Sequence, residues 1–386
     1  MSRKILRFIS IYLTIILILL SPNISSAESE EVFDIDAKSA LLMDFNTGEI
    51  IYEKNPHERL APASISKVMV LLIAMESIED GKISLDDEVI ISGNAESMGG
   101  SQVFLEEGEV QKVDDLIKAI SLRSANDASV ALGEHISKSE SAFLKLMNKR
   151  AKELGMENTN FANATGLPND NHYTTAYDIA IMSRELMKYP KIQDWLTLWM
   201  AEMKVSRDKD IVQGLVNTNR LIKDYDGANG IKTGSTQEAG FCLSGSAKRG
   251  NLQLISVVLG CENSKIRFEE SKRLLDYGFD NYNSVTIGKK GDIVAQTKVN
   301  KGSEEFTNIV LGRDSFILVP EGSSSNVEKE INIPETIDAP IEIDRVIGEL
   351  ILQIDGKTID KVDLVCEKKI EKANVLDMIK KIINMY

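Results

Sequence analysis

The chain has 386 residues and a formal net charge of −14, from 59 acidic and 45 basic side chains. This excess of negative charge argues against nucleic acid or an anionic lipid surface as a partner, except at a local basic patch. Three cysteines without a C-x-x-C pair and three histidines without an H-E-x-x-H pattern argue against a disulfide framework and a zinc site. We therefore expect no metal and no organic cofactor. The length predicts two domains.

The first 27 residues have the organisation of a secretory signal peptide. Three basic residues precede an apolar run at positions 8–20, and small residues stand at positions 25 and 27. The run is shorter than the roughly 20 residues that a membrane-spanning helix needs. We expect export from the cytoplasm with cleavage after Ala27. An uncleaved N-terminal anchor is the alternative.

Residues 28–281 are predicted to form an α+β domain. The predicted elements in chain order are strands Ser39–Phe45 and Glu49–Glu53, helices Ser64–Met75, Asp114–Gly155 (with a new start at Ser139) and Tyr177–Met187, strands Ile231–Ser235, Phe241–Ala247 and Leu252–Leu259, and helix Ser264–Phe279. Asn163–Thr175 is rich in Asn, Gly and Thr and is predicted to be a long loop. Because strands flank a helical middle, we expect one sheet closed by both ends of this region.

Residues 282–370 are predicted to form a small all-β domain. Short alternating segments separated by glycine and proline are typical of such domains. The predicted strands are Ser284–Ile287, Asp292–Val299, Phe316–Val319, Ile341–Ile343 and Glu349–Ile354.

Residues 371–386 are predicted to form an amphipathic helix. Its apolar face consists of Val375, Met378, Ile379, Ile382, Ile383 and Tyr386. This face either packs on the β-domain or lies in a membrane interface, and we favour the membrane.

One lysine distinguishes the first predicted helix. Between Ala61 and Met75 the only charged residue is Lys67, and a buried ammonium is costly unless something holds it. Ser64 precedes it by three residues, so hydroxyl and amine share one helical face. A serine nucleophile needs a base within hydrogen-bond reach, and this spacing supplies one. The alternative is a lysine whose amine reaches solvent; the same spacing recurs in a charged stretch at Ser206–Lys209.

Two further motifs supply polar groups for the same site. Holding a lysine neutral at pH 7 costs roughly 4.6 kcal/mol, and a second cation nearby offsets part of that cost. Lys232 is the candidate, on a strand where Gly234 lets a substrate backbone approach closely. Ser124 and Asn126 lie between two helical segments and can relay a proton and orient a peptide. The alternative interpretation of Lys232 is an ordinary exposed strand lysine. The second Ser-x-Asn, at Ser92–Asn94, is interpreted as a plain turn.

The motifs Ala63–Lys67, Ser124–Ala128 and Gly230–Gly234, in this order, resemble those of low-molecular-weight penicillin-binding proteins. More narrowly, the chain resembles the penicillin-binding protein 5-type D-alanyl-D-alanine carboxypeptidases from about Ala37 to its end. The resemblance implies a β-lactamase/transpeptidase-like catalytic domain. It also implies an enzyme that acts on peptidoglycan stem peptides ending in D-Ala-D-Ala, is inhibited by β-lactams and lies on the outer face of the cytoplasmic membrane.

The resemblance also implies a role for each motif residue. Ser64 attacks the carbonyl between the two terminal D-alanines, Lys67 takes its proton, and Ser124 relays a proton to the leaving amine. Asn126 holds the donor peptide, and Lys232 supplies positive charge.

Three residues complete the implied site. Thr233 and Arg249 are expected to bind the terminal carboxylate, although an arginine in a hairpin turn is often simply solvated. Backbone N–H groups of Ser64 and Ser235 are expected to form the oxyanion hole. Some relatives have histidine where this chain has Ser235; because that position contributes mainly backbone, catalysis should survive the difference.

Other functions fit the sequence less well. A Ser-His-Asp hydrolase is disfavoured because no G-x-S-x-G elbow is present and the histidines lie in a loop, a helix and a second loop. A β-lactamase shares the three motifs, but the loop Asn163–Thr175 contains no glutamate and only one acid, Asp170. We therefore expect slow deacylation of penicillins. A catalytically idle cell-wall binder that uses the β-domain is the non-enzymatic alternative.

Overall fold

The computed structural model describes residues 33–206, 211–322, 327–354 and 356–375. The predicted signal peptide lies outside these ranges, and so does the predicted C-terminal helix beyond Val375. Among the helices inside them, none combines the length and the apolar character needed to cross a membrane.

One antiparallel sheet forms the centre of the first domain. Its strands are β1 (Ser39–Asp44), β2 (Ile50–Lys54), β7 (Ala228–Thr236), β8 (Gly240–Arg249) and β9 (Leu252–Cys261). They lie in the order β2-β1-β9-β8-β7, so the first hairpin pairs with the last of the three later strands. The structure thus confirms both predicted hairpins and a sheet closed by the two ends of this region. β9 is buried along nearly its whole length, which explains its continuous apolar sequence.

A helical region separates β2 from β7. The helices of this domain are α1 (Lys67–Glu79), α2 (Gly93–Glu96), α3 (Val113–Arg123), α4 (Asn126–Ser137), α5 (Glu140–Glu153), α6 (Ala176–Met187), α7 (Gln193–Leu196), α8 (Leu221–Asp224) and α9 (Ser264–Asn281). Two short ribbons pair β3 (Glu88–Ile90) with β4 (Val110–Lys112), and β5 (Met200–Val205) with β6 (Ile211–Val216). Ser139 caps α5 by accepting a hydrogen bond from the backbone of Ala142, so the predicted helix start at Ser139 is confirmed.

Helices cover both faces of the central sheet. Ser244 of β8 forms a 2.8 Å hydrogen bond with Ser183 of α6. A Cβ on the next residue, Gly245, would lie 2.9 Å from the hydroxyl of Ser271 on α9. Because successive strand residues point to opposite faces, α6 and α9 lie on opposite sides of the sheet.

The second domain is rich in β-strands, as predicted, and β10 follows α9 directly. Its strands are β10 (Tyr282–Gly288), β11 (Ile293–Asn300), β12 (Phe306–Leu311), β13 (Ser315–Pro320), β14 (Glu328–Asn332), β15 (Thr336–Asp338), β16 (Val346–Ile354) and β17 (Lys357–Cys366). β10 pairs with β13, and the other six form a sheet in the order β14-β16-β17-β12-β11-β15.

One predicted strand of this domain is wrong. Residues Ile341–Ile343 do not form a strand; Ile341 alone forms an isolated bridge, with Ile370. Pro340 before it has no N–H to donate, and Asp344 after it turns the chain with a φ of 58°. β12, β14, β15 and β17 were not predicted.

Candidate active site

Ser64 lies on a short 3-10 helix, Ala63–Ser66, that follows Pro62 and continues into α1. Ser64 is partly exposed, while its neighbours on this turn are buried. β7 passes beside the turn, because a Cβ on Gly234 would lie only 3.0 Å from the backbone nitrogen of Ser64. The glycine therefore lets the strand edge approach the proposed nucleophile.

Lys67 is the first residue of α1 and is fully buried. Its Nζ lies 3.0 Å from Ser64 Oγ, 2.7 Å from Asn126 Oδ1 and 2.5 Å from the carbonyl oxygen of Thr165. The last two oxygens can only accept hydrogen bonds. They therefore use the two N–H groups of a neutral amine, and its lone pair is left for the Ser64 hydroxyl. This geometry allows the amine to take the hydroxyl proton.

Burial places the pKa of Lys67 well below its ordinary value of 10.5. The charge of Lys232 lowers this pKa further, and Asp127 opposes the shift. In the part of the chain that the structure describes, no carboxylate forms an ion pair with Lys67. This environment favours the neutral form of the amine.

Lys232 and Arg267 form a second buried cationic pair. Lys232 lies on β7, where its Nζ donates a 3.0 Å hydrogen bond to the Thr233 carbonyl. Burial lowers its pKa to about 7, and the nearby Arg267 guanidinium contributes to the shift. Arg267 lies in the first turn of α9 with 8% of its surface exposed, and it donates a 3.1 Å hydrogen bond to the carbonyl of Gly234. Positive charge is thus concentrated along β7 beside Ser64.

Ser124 and Asn126 stand at the junction of α3 and α4. Ser124 ends α3 in the left-handed conformation, with a φ of 61°, and its buried Oγ has no hydrogen-bond partner within the described ranges. The side chain of Asn126 donates a 2.6 Å hydrogen bond to the Gly99 carbonyl, and its Oδ1 accepts from Lys67. Asn126 therefore helps to fix the orientation of the amine.

Thr233 follows Lys232 on β7 and is nearly buried. Its hydroxyl donates a 2.8 Å hydrogen bond to the hydroxyl of Thr218. The backbone N–H of Thr218 donates to the carbonyl of Leu122, two residues before Ser124. This segment connects the end of α3 to β7. Ser235 follows on the same strand and is exposed.

The cysteines take no part in this arrangement. Cys242, Cys261 and Cys366 are free and buried. Among the residues that the structure describes, no group of three or more His, Cys, Asp or Glu side chains is arranged to hold a metal ion.

Comparison with known proteins identifies the family. The model of the peptidase S11 family, D-alanyl-D-alanine carboxypeptidase, matches residues 24–263, more than half of the chain. This chain belongs to that family. It is therefore a serine hydrolase of the carboxypeptidase family. A second family model, the C-terminal domain of penicillin-binding protein 5, matches residues 282–372.

Individual relatives resemble this family member along most of its length. The D-alanyl-D-alanine carboxypeptidase DacF of Bacillus subtilis is 43% identical over 90% of this chain and 89% of its own. Penicillin-binding protein 5 of Haemophilus influenzae has a TM-score of 0.74 at 32% identity, covering 88% of this chain and 99% of that one. Penicillin-binding protein D2 of Listeria monocytogenes in its ampicillin-bound form has a TM-score of 0.56 at 30% identity, covering 64% and 98%.

In the structure Arg249 lies away from the candidate active site. Thr233 pairs with Leu243 on β8, whereas Arg249 ends that strand six residues further on, about 20 Å away at roughly 3.3 Å per residue. The Arg249 guanidinium lies 4.9 Å from the ring centre of Tyr225 and 4.4 Å from that of Phe279. The placement therefore gives no support to its assignment as a carboxylate ligand, which rested on its position in the hairpin turn.

Sequence reasoning also missed residues that the structure places at the site. Arg267, Thr218 and Thr165 were not among the candidates. Arg267 carried a usable signal, because it shares a helical stripe with Ser271, Leu274 and Gly278, and an arginine on such a buried stripe needs a reason. Thr165 contributes only its backbone carbonyl, so its side chain gives no signal.

Proposed function

We propose that this enzyme removes the terminal D-alanine from peptidoglycan stem peptides through an acyl-enzyme on Ser64, and that β-lactams inhibit it by acylating the same residue. The observation that carries the proposal is the buried amine of Lys67, 3.0 Å from Ser64 Oγ. Its depressed pKa provides a base at neutral pH without a histidine. The family membership and the names of the relatives support the substrate class.

The proposed reaction has two halves that use the same base. Ser64 Oγ attacks the carbonyl carbon between the two terminal D-alanines while its proton passes to Lys67, and the backbone N–H groups of Ser64 and Ser235 stabilise the oxyanion. When the C–N bond breaks, the leaving nitrogen takes that proton by way of Ser124. Water then attacks the acyl-ester and gives a proton to Lys67, which returns it to Ser64 as the ester bond breaks.

We propose that Arg267, rather than Arg249, binds the terminal carboxylate together with Lys232 and the Thr233 hydroxyl. Within the described part of the chain Arg267 has no carboxylate partner, and its buried Nε has no hydrogen-bond partner. A guanidinium held in this way matches the carboxylate that an exopeptidase must recognise. Asn126 remains our candidate for holding the stem peptide, with a second role in orienting Lys67.

We further propose the cellular setting. A signal peptide at 1–27, a catalytic domain at 28–281, a β-rich domain at 282–370 and an amphipathic helix at 371–386 would place the enzyme outside the cytoplasm. The helix would hold it peripherally on the membrane surface.

A labelling experiment tests the proposal. The mature protein and its Ser64→Ala variant are incubated with a fluorescent penicillin, and D-alanine release from a pentapeptide ending in D-Ala-D-Ala is measured in parallel. We expect a long-lived label on the wild type, no label on the variant, and D-alanine release by the wild type alone. Rapid loss of label would indicate a β-lactamase instead, and labelling without D-alanine release would indicate a binding protein.

A further inference from the structure

His172 is a buried histidine that the proposed reaction does not use. It lies in the loop Asn163–Thr175 with 4% of its surface exposed, and its ring meets that of Phe161 edge-on at 5.8 Å. Its Nε2 lies 2.7 Å from the hydroxyl oxygen of Ser66, which is on the same turn as Ser64. The histidine is therefore in contact with the turn that carries the nucleophile.

The direction of this hydrogen bond follows from the neighbouring contacts. The Ser66 hydroxyl donates its single proton to the Ala63 carbonyl over 2.9 Å, so the imidazole must donate through Nε2–H. Nδ1 of His172 is then a bare acceptor, consistent with its lack of a partner in the described chain. Burial, with a smaller contribution from Lys67, lowers the pKa of His172 to about 4, so the ring is neutral at physiological pH.

The carbonyl at the end of this chain of hydrogen bonds belongs to the residue before the nucleophile. Ala63 has a φ of 47°, a left-handed conformation that a non-glycine residue keeps only when its surroundings hold it there. The loop of His172 approaches the same carbonyl from a second point, because a Cβ on Gly166 would lie 1.8 Å from the Ala63 oxygen. Two parts of one loop thus support the same strained peptide, Gly166 by direct approach and His172 through the Ser66 hydroxyl.

The loop also contacts the base. The carbonyl of Thr165, beside Gly166, accepts a 2.5 Å hydrogen bond from Lys67 Nζ. A single loop therefore touches both the backbone that carries Ser64 and the amine that deprotonates it.

We propose that His172 is a positioning residue for acylation: acting through the Ser66 hydroxyl, it fixes the turn that aims Ser64 Oγ at Lys67 and at the substrate carbonyl. The inference rests on the proposed roles of Ser64 and Lys67. His172 touches neither substrate nor reacting atoms, so its effect is on the rate of acylation and not on the affinity for the penicillin. Misplacement of a reacting group by about 1 Å can cost 10²-fold in rate.

Isosteric variants test the hydrogen bond itself. Stopped-flow labelling with a fluorescent penicillin separates its dissociation constant from the acylation rate constant. Glutamine places an amide nitrogen near the position of Nε2, whereas asparagine places one near Nδ1. We expect His172→Asn to lower the acylation rate constant by roughly tenfold or more, with the dissociation constant unchanged within about twofold. His172→Gln should retain a rate within about threefold of the wild type.

A double-mutant cycle tests the route through Ser66. If the histidine acts through that hydroxyl, Ser66→Ala should slow acylation as His172→Asn does, and the double variant should be no slower than the slower single variant. Asp170→Asn is the matched control, because Asp170 is exposed on the same loop and should leave the rate unchanged.

The outcomes are decisive for this role and separate from the proposed function. The role would be overturned if the Gln and Asn variants lost acylation rate equally and in step with a fall in their melting temperatures. It would also be overturned if substitutions at positions 66 and 172 had independent effects on that rate. If His172→Asn is not recovered folded, the acylation rate constants of His172→Gln, the wild type and Ser66→Ala still test the proposed role. The wild-type label and its loss in Ser64→Ala report on the proposed function alone.

Discussion

The two domains differ in whether they bury charged side chains. The catalytic domain buries three cations, Lys67, Lys232 and Arg267, with no ion-pair partner for any of them in the described chain. In the β-domain no described charged side chain is buried, and its ion pairs, such as Arg313 with Asp360, are at the surface. Its core consists of aliphatic side chains from the two sheets.

The difference shows where the fold gives up stability for chemistry. A buried unpaired cation is costly, so the retention of three of them in one domain points to a functional role. Burial lowers the pKa of both Lys67 and Lys232. The β-domain bears no such cost, which predicts that substitutions will affect activity and stability differently in the two domains.

The largest expected effect is that of Lys67→Met. Removal of the proposed base should slow acylation by about 10³-fold or more, since general-base assistance contributes up to about 10⁴-fold. The variant should also lose part of the pH dependence of stability. Between its depressed native pKa and the ordinary value of 10.5, unfolded Lys67 binds a proton that the native amine does not, so wild-type stability rises with pH by up to about 1.4 kcal/mol per unit from this group. That contribution ends as the pH passes the ordinary value of 10.5.

Urea unfolding at several pH values, beside stopped-flow acylation, measures both quantities. Lys82→Met is the control, because Lys82 is an exposed lysine beyond α1 that pairs with Asp80 at the surface. Full-speed acylation in Lys67→Met would show that the lysine is not the base, and an unchanged slope of stability against pH would show that it is not held neutral.

A smaller effect should separate the two candidate arginines of the catalytic domain. Arg267→Gln should lower kcat/KM for a D-Ala-D-Ala peptide by roughly 10²-fold, because loss of a buried charged partner costs about 2–5 kcal/mol. Arg249→Gln should stay within about threefold, since its guanidinium packs on Tyr225 and Phe279 away from the site. A peptide with a C-terminal amide should largely abolish the penalty in Arg267→Gln. A larger loss at position 249 than at 267 would restore the assignment made from the sequence.

A comparison of Lys67 with these two arginines shows how much of the candidate site could be predicted from the sequence. Ser64 and Lys67 are three residues apart on one turn, so their contact could be predicted from helical geometry alone. Arg267 lies 35 positions after Lys232 and reaches β7 only because α9 packs on the sheet. Nothing local encodes that approach. Arg249 was chosen for its place in a hairpin turn, which turned out to lie at the other end of β8.

The fold shows the same limit. The hairpins and apolar helices of the catalytic domain have strong periodic signals, and the structure confirms them. In the β-domain, β14 consists of exposed residues with charges at three of five positions, and it is a strand only because β16 pairs with it. Such pairing depends on residues distant in sequence, and the pattern of the strand itself does not predict it.

The smallest expected effect on activity comes from breaking that pairing. A Cβ on Gly348 of β16 would lie 2.0 Å from the carbonyl oxygen of Asn332 on β14, so Gly348→Ala should cost the β-domain about 1–3 kcal/mol of stability. Penicillin acylation should remain within about twofold. Gly291→Ala is the control for strain without collision, because its φ is 89° and nothing lies within 4 Å of its added Cβ.

Limited proteolysis and denaturant unfolding would follow the β-domain while acylation reports on the catalytic domain. The two are joined at contacts such as the 3.2 Å hydrogen bond from Asn46 to Ser284. If acylation in Gly348→Ala falls in step with unfolding of the β-domain, these contacts must support the catalytic sheet through the turn between β1 and β2. Unchanged acylation in a protein whose β-domain is cleaved would instead establish that the buried cations are held by the catalytic domain alone.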